Sequence, residues 1–269
     1  MPILAHIVAA ALAGGVISTL AAAFTLTLGP AWISRLVSFA VGALLGAVFL
    51  EMLPHALEHG RAEHVMLVTL AGLLAFFLLE KLVLWRHSHG HEQHDDAADE
   101  SEHDHAMHAP TPDRAHGHDQ GRSGLMILIG NSVHSFCDGI VIAASFLADA
   151  ALGLAATLAI VAHAVPQQVG DFAVLVHSGY TRRRAFSLNV LTGGATLAGA
   201  LGAYFALADM QQALPTVLAI AAASLLYVAV ADLIPSLHRR PEPLETAKQS
   251  LLIAAGIGVI AAVHAILAH

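Results

Sequence analysis

Residues 124–147 read GLMILIGNSVHSFCDGIVIAASFL, a stretch with no lysine or arginine and a single acid, Asp138. About 20 apolar residues cross the hydrocarbon core of a bilayer, so the run is long enough to span. Asn131, Ser132, His134, Ser135 and Asp138 nevertheless fall near its middle, where an unpaired ionisable side chain costs several kcal/mol. The next apolar run, 151–177, repeats the anomaly with His163-Ala164-Val165-Pro166-Gln167-Gln168-Val169-Gly170-Asp171. Helical spacing puts His134 and Asp138 on one face, and His163, Gln167 and Asp171 on another. Two such faces turned toward each other gather imidazole nitrogens, carboxylate oxygens and an amide oxygen, a donor set that suits a borderline divalent metal such as Zn²⁺. Pro166 adds to this reading, because it leaves the Ala162 carbonyl without its helix partner and favours a kink. A free carbonyl at that depth is tolerated where it lines a cavity or meets protein. A lone intramembrane histidine such as His6 or His264 needs no more than a hydrogen bond to a neighbouring helix. Cys137 lies off the His134–Asp138 line and reads as packing.

Working outward, the whole chain is apolar. Of its 269 residues 57% are hydrophobic and 12% charged, and mean hydropathy is +0.69. Residues 86–123 hold Arg86, Arg114, Arg122 and nine acids, leaving the remainder too few charges to coat a water-soluble fold. A soluble enzyme is excluded, and the net charge of −8 excludes a nucleic-acid binder. One cysteine excludes a disulfide framework. The run from Ile3 to Leu28 is too long for a signal-peptide core and reads as a retained span. Eight runs approach membrane length, at about 3–27, 33–56, 64–85, 124–147, 151–177, 185–207, 212–236 and 249–268. Continuous apolar runs argue for helices rather than a barrel. Gly42 and Gly46, like Gly14 and Ser18, have the small-residue spacing of close helix packing. The expected fold is an all-α polytopic membrane protein of eight transmembrane helices.

With loops numbered alternately, eleven of the twelve basic residues fall on one side and only Arg61 on the other. The positive-inside rule then places both termini outside a cell (inner) membrane and the 86–123 loop in the cytoplasm. The second span ends Glu51-Met52-Leu53-Pro54-His55 and the seventh Asp232-Leu233-Ile234-Pro235-Ser236, each an acid followed by proline three residues on. This points to inverted repeats in a 3+2+3 arrangement, a transporter signature with sites at midplane. The expected segments are 1–85 (helices one to three), 86–123 (the loop), 124–178 (helices four and five) and 179–269 (helices six to eight).

The layout, the stretch His134-Ser135-Phe136-Cys137-Asp138-Gly139 and the stretch His163 to Phe172 resemble the ZIP (Zrt/Irt-like protein) family of metal-ion transporters. The resemblance is to the branch whose fourth helix reads HNxxDG and whose fifth reads HExPHExGD; Glu80-Lys81 resembles its EK pair. It implies movement of zinc, and of iron, manganese or cadmium, into the cytoplasm, with helices two, four, five and seven around the metal. The chain departs from the pattern at Ser135, Ala164, Gln167 and Gln168. Carried over by position, one site keeps His134, Asp138 and His163, with Gln167 as a neutral ligand, and a neighbouring site loses most of its donors. One transported metal is expected, as substrate rather than cofactor; cobalt and nickel suit the same donors.

Glu51 and His55, with Glu58 and His59 just beyond, read as an entrance, and Asp171, His177 and Asp232 as an exit. The loop carries His87, His89, His91, His94, His103, His105, His108, His116 and His118 among dense charge, a composition expected to be disordered and to bind metals weakly. A metal buffer or sensor is its functional reading, and a plain linker the alternative. A metal-gated sensor or proton-coupled exporter competes with import, and a homodimer is a candidate assembly. A membrane metalloprotease lacks its His-Glu-x-x-His, and no nucleotide-binding loop is present.

Overall fold

The structure, a computed structural model, describes residues 2–25, 30–88, 120–238 and 242–267. The loop histidines from His89 to His118 lie outside the described residues. Eight helices are long and apolar enough to cross a membrane: α1 Ile3–Ala21, α2 Trp32–His59, α3 Ala62–Leu82, α4 Leu128–Ala148, α5 Ala150–His177, α6 Arg182–Leu207, α7 Gln211–Leu237 and α8 Pro243–Ile266. They correspond one for one to the runs read from sequence, and no strand occurs among the described residues. Helical backbone continues past α3 to Ser88 and begins at Gln120 ahead of α4, so His87 lies on helix and the connecting loop is shorter than 86–123.

Three helices change pitch, α1 at Ala13–Ile17 and α2 and α7 at matching places. Residues Ala47–Met52 of α2 and Val228–Leu233 of α7 form π-helical turns, where the Leu53 N–H donates to the Val48 carbonyl and the Ile234 N–H to the Ala229 carbonyl. The cause lies just beyond each turn. Pro54 and Pro235 have no N–H to give, and their rings crowd the carbonyl four residues back, so the preceding turn widens. Each widened turn carries the acid of its repeat motif, Glu51 in α2 and Asp232 in α7.

Close packing rests on glycine. A Cβ on Gly139 of α4 would lie 2.0 Å from the Thr196 carbonyl oxygen of α6, and one on Gly42 of α2 would lie 2.0 Å from that of Ile253 in α8. Only a bare backbone allows such approach. Burial then sorts the helices: 67% of the α2 window is inside the bundle, against 11% for α3 and for α8. Leu44, Met52, Ile142, Leu152, Ile160 and Leu218 fill the centre between α2, α4, α5 and α7. The outward residues of α3, among them Leu67, Leu70, Leu74 and Leu78, stay exposed, as a lipid-facing helix requires.

One residue sets the register of α4 against α5. Asp149 separates them and caps α5, accepting from the Ala151 N–H at 2.8 Å and the Leu152 N–H at 3.1 Å. His134 lies fifteen residues before this turn and His163 fourteen after it. At about 1.5 Å per residue both sit some 21–22 Å from the turn, at the same depth.

Candidate metal centre

That shared depth brings three side chains together. The Nε2 atoms of His134 and His163 are 3.3 Å apart, and Asp138 Oδ2 lies 3.7 Å from the first and 3.5 Å from the second. Zinc binds imidazole nitrogen at about 2.0–2.1 Å and carboxylate oxygen at about 2.0–2.2 Å, so neighbouring ligands of a tetrahedral ion are roughly 3.3–3.5 Å apart. The triangle thus has the size of one tetrahedral face. Among the described residues it is the group of histidine, cysteine and acidic side chains close enough to share an ion.

Its orientation is set by the helix that carries it. His163 Nδ1 donates to the Ala159 carbonyl one turn back at 3.1 Å, which turns the Nε2 lone pair toward the centre. His163 and Asp138 are buried, at 1% and 4% exposure, while His134 is partly open. His134 is therefore the donor on the open side of the triangle, with the other two buried behind it. Asp138 is the one anion of the triangle, so a dication there keeps about one uncompensated charge.

Gln167 and Asp171, expected on the same face as His163, lie outside the triangle. Gln167 Nε2 donates instead to Asn131 Oδ1 of α4 at 3.4 Å. They form a polar step beside the triangle rather than part of it. A cavity of about 300 Å³ opens from His134 and Cys137 toward α3 and α7, where Glu80, Ser224, Tyr227 and Asp232 line it. The Tyr227 hydroxyl donates to the Glu80 carboxylate, tying α7 to α3 at its wall. At the far end of the bundle, Glu51, His55, Glu58, His59, Asp149 and His264 line a pocket of about 280 Å³. Glu51 is buried, one carboxylate oxygen held by His264 Nδ1 at 3.0 Å and the other without a partner. The rings of His55 and His59 stack with centroids 4.4 Å apart. His177 stands apart from both openings: its Nδ1 donates to the Ala173 carbonyl at 2.7 Å, and it lines a cavity with Arg182 and Arg183.

From the sequence His264 reads as a histidine bonded to a neighbouring helix, Asn131 as one polar residue among several in its span, and Tyr227 carries no role. Only the polar character of Asn131 and His264 within apolar runs was available as a signal, and Tyr227 offered none.

Eight membrane-length helices packed around a buried histidine and aspartate and a second, partly open histidine define a polytopic membrane protein built to handle a metal ion. The chain matches the ZIP Zinc transporter family over residues 3–264 and belongs to that family. It is accordingly a membrane metal transporter and not an enzyme, which bears out the resemblance drawn from α4 and α5. Among curated proteins it is similar to Zinc transporter ZIP13 of Pongo abelii, 31% identical over 86% of this chain and 66% of that one. It is also similar to Zinc transporter ZIP13 of Homo sapiens, 31% identical over 86% of this chain and 70% of that one. Zinc transporter SLC39A7 of Rattus norvegicus is 29% identical over 84% of this chain and 63% of its own length. The chain thus spans about two thirds of the length of the curated relatives it matches.

Proposed function

We propose that this protein carries a zinc-type divalent ion into the cytoplasm, with His134, Asp138 and His163 as the midplane transport site. The observation that carries the reading is the tetrahedral-face spacing of three donors on helices that meet inside the bilayer. Zinc is the named substrate of the similar proteins, and two imidazoles with one carboxylate are borderline donors. The incoming ion collects at Glu51 and His55, with His264 holding Glu51 in place. It then passes to the triangle and leaves by Asn131, Gln167, Asp171 and the cavity lined by Asp232. Under-neutralisation of the ion favours release over tight storage.

The inward direction is what the ZIP resemblance implies, and the side preference of the basic residues puts the termini outside and the histidine-rich loop in the cytoplasm as a metal buffer. The matching widened turns at Glu51 and Asp232 support the reading of residues 1–85 and 179–269 as inverted repeats around the α4–α5 pair. Iron, manganese, cadmium, cobalt and nickel are candidate competitors, and a homodimer the candidate assembly. Uptake into proteoliposomes across a panel of divalent ions, with a proton gradient imposed and removed, tests the proposal. Zinc entry without an imposed gradient, competed by cadmium and weakly by magnesium, is expected. Zinc movement only against an opposing proton gradient would instead make the protein an exporter.

A further inference from the structure

Arg182 and Arg183 open helix α6 and carry no acidic partner among the described residues, whereas Arg184 is engaged with the Tyr180 ring at 5.1 Å. Cations in a first helical turn oppose the helix dipole, and no acid in that turn offsets them. Local helix chemistry therefore does not account for them. Their surroundings do. Together with His177, Phe172 and Phe186 they line a cavity of about 570 Å³ between α5, α6 and the end of α1, and no acid lines it. The His177 Nδ1–H is spent on the Ala173 carbonyl, so the cationic donors of this mouth are the two arginines.

The polar cavity does not end there. Phe186 is shared with a second cavity of about 270 Å³, which runs between α1 and α6. Its walls are Leu12, Val16, Leu20, Phe186, Val190 and Leu197. It flanks the point where α1 and α6 cross closest, since a Cβ on Gly15 would lie 2.9 Å from the Gly193 carbonyl oxygen. Its one hydroxyl, Thr19, is turned inward to the Gly15 carbonyl at 2.8 Å. A basic mouth that adjoins, across Phe186, an apolar groove on the outside of a membrane bundle has the chemistry of one kind of molecule.

We propose that this face binds an anionic phospholipid, its phosphate on Arg182 and Arg183 and one acyl chain in the α1–α6 groove. Charge complementarity selects the headgroup: two guanidiniums take phosphate oxygens by paired N–H donors. The groove selects a lipid over free phosphate. The bound lipid bears on transport, because Asn189 of α6 donates to the Gln168 carbonyl of α5 at 3.0 Å, one turn from His163 and its neighbours. Anything that fixes α6 against α1 also fixes the helix that carries His163.

Native mass spectrometry of the full-length protein with phosphatidylglycerol or phosphatidylcholine of identical acyl chains tests this. Preferential retention of phosphatidylglycerol is expected, weakened roughly 30-fold in R182Q/R183Q, as two near-surface cations are worth. Val190→Trp, which fills the groove and leaves the charge alone, is expected to lose the same lipid, and Arg35→Gln to keep it. Equal retention of both lipids by the parent overturns the proposal. So does phosphatidylglycerol binding that survives Val190→Trp, which would mark a bare phosphate contact, or that falls as far in Arg35→Gln, which would mark diffuse attraction.

Discussion

The Nε2 atoms of His134 and His163 lie 3.3 Å apart across the α4–α5 contact, with Asp138 Oδ2 within 3.7 Å of both. Two helices joined by a single capped residue deliver this geometry, so the site depends on the Asp149 turn as much as on its own side chains. Asp149→Ala removes a cap that accepts two backbone N–H groups, at a cost of about 1–2 kcal/mol. It is expected to lower the thermal midpoint of the protein and weaken zinc binding together, read by thermal unfolding with and without zinc.

Gln167 stands one helical turn from His163 and spends its amide N–H on Asn131. Gln167→His puts an imidazole, the better ligand for a borderline metal, within reach of the open fourth position of the triangle. Zinc affinity is expected to rise about tenfold, with release slowed, in equilibrium titration and uptake compared side by side.

The Tyr227 hydroxyl bonded to Glu80 bridges α7 and α3 at the wall of the cavity that opens from His134. Tyr227→Phe keeps the ring and removes the bridge. An altered maximal uptake rate with unchanged zinc affinity is expected, because the hydroxyl is no part of the triangle. A matching loss of affinity would place Tyr227 at the site itself.

Gly139→Ala directs a methyl at the Thr196 carbonyl oxygen, 2.0 Å away, where backbone rather than a flexible side chain must yield. Destabilisation of about 1–3 kcal/mol or more is expected. Gly170→Ala, on α5 with nothing within 4 Å of the added carbon, is the control and should leave the melting temperature within a degree or two.

Much of this molecule is legible in its sequence, for physical reasons. A bilayer demands long apolar helices, so the eight spans stand out, and it penalises polar groups, so His134, Asp138 and His163 mark themselves by being there at all. What a side chain touches across the bundle is another matter. Gln167 and Asp171 sit at helical spacing from His163, yet neither joins the triangle, and the turn of α4 beside them presents Asn131, which takes Gln167. His177 keeps the same approximate face as His163, but at its depth α5 is flanked by α1 and α6 rather than by the metal cavity. The partner of His264 is Glu51, more than two hundred residues away in the chain. The Glu51–Pro54 and Asp232–Pro235 motifs were readable as a repeat, while the widened turns they impose emerge only once the backbone hydrogen bonds are traced.

The central claim is that the triangle holds the transported ion, and initial zinc uptake by His163→Ala tests it most directly. The variant is reconstituted in proteoliposomes after thermal unfolding has shown it folded. Loss of one of three donors at a site that is already under-neutralised should reduce uptake by roughly 100-fold, to the level of empty vesicles. Uptake at the wild-type rate by a folded His163→Ala protein would contradict the account.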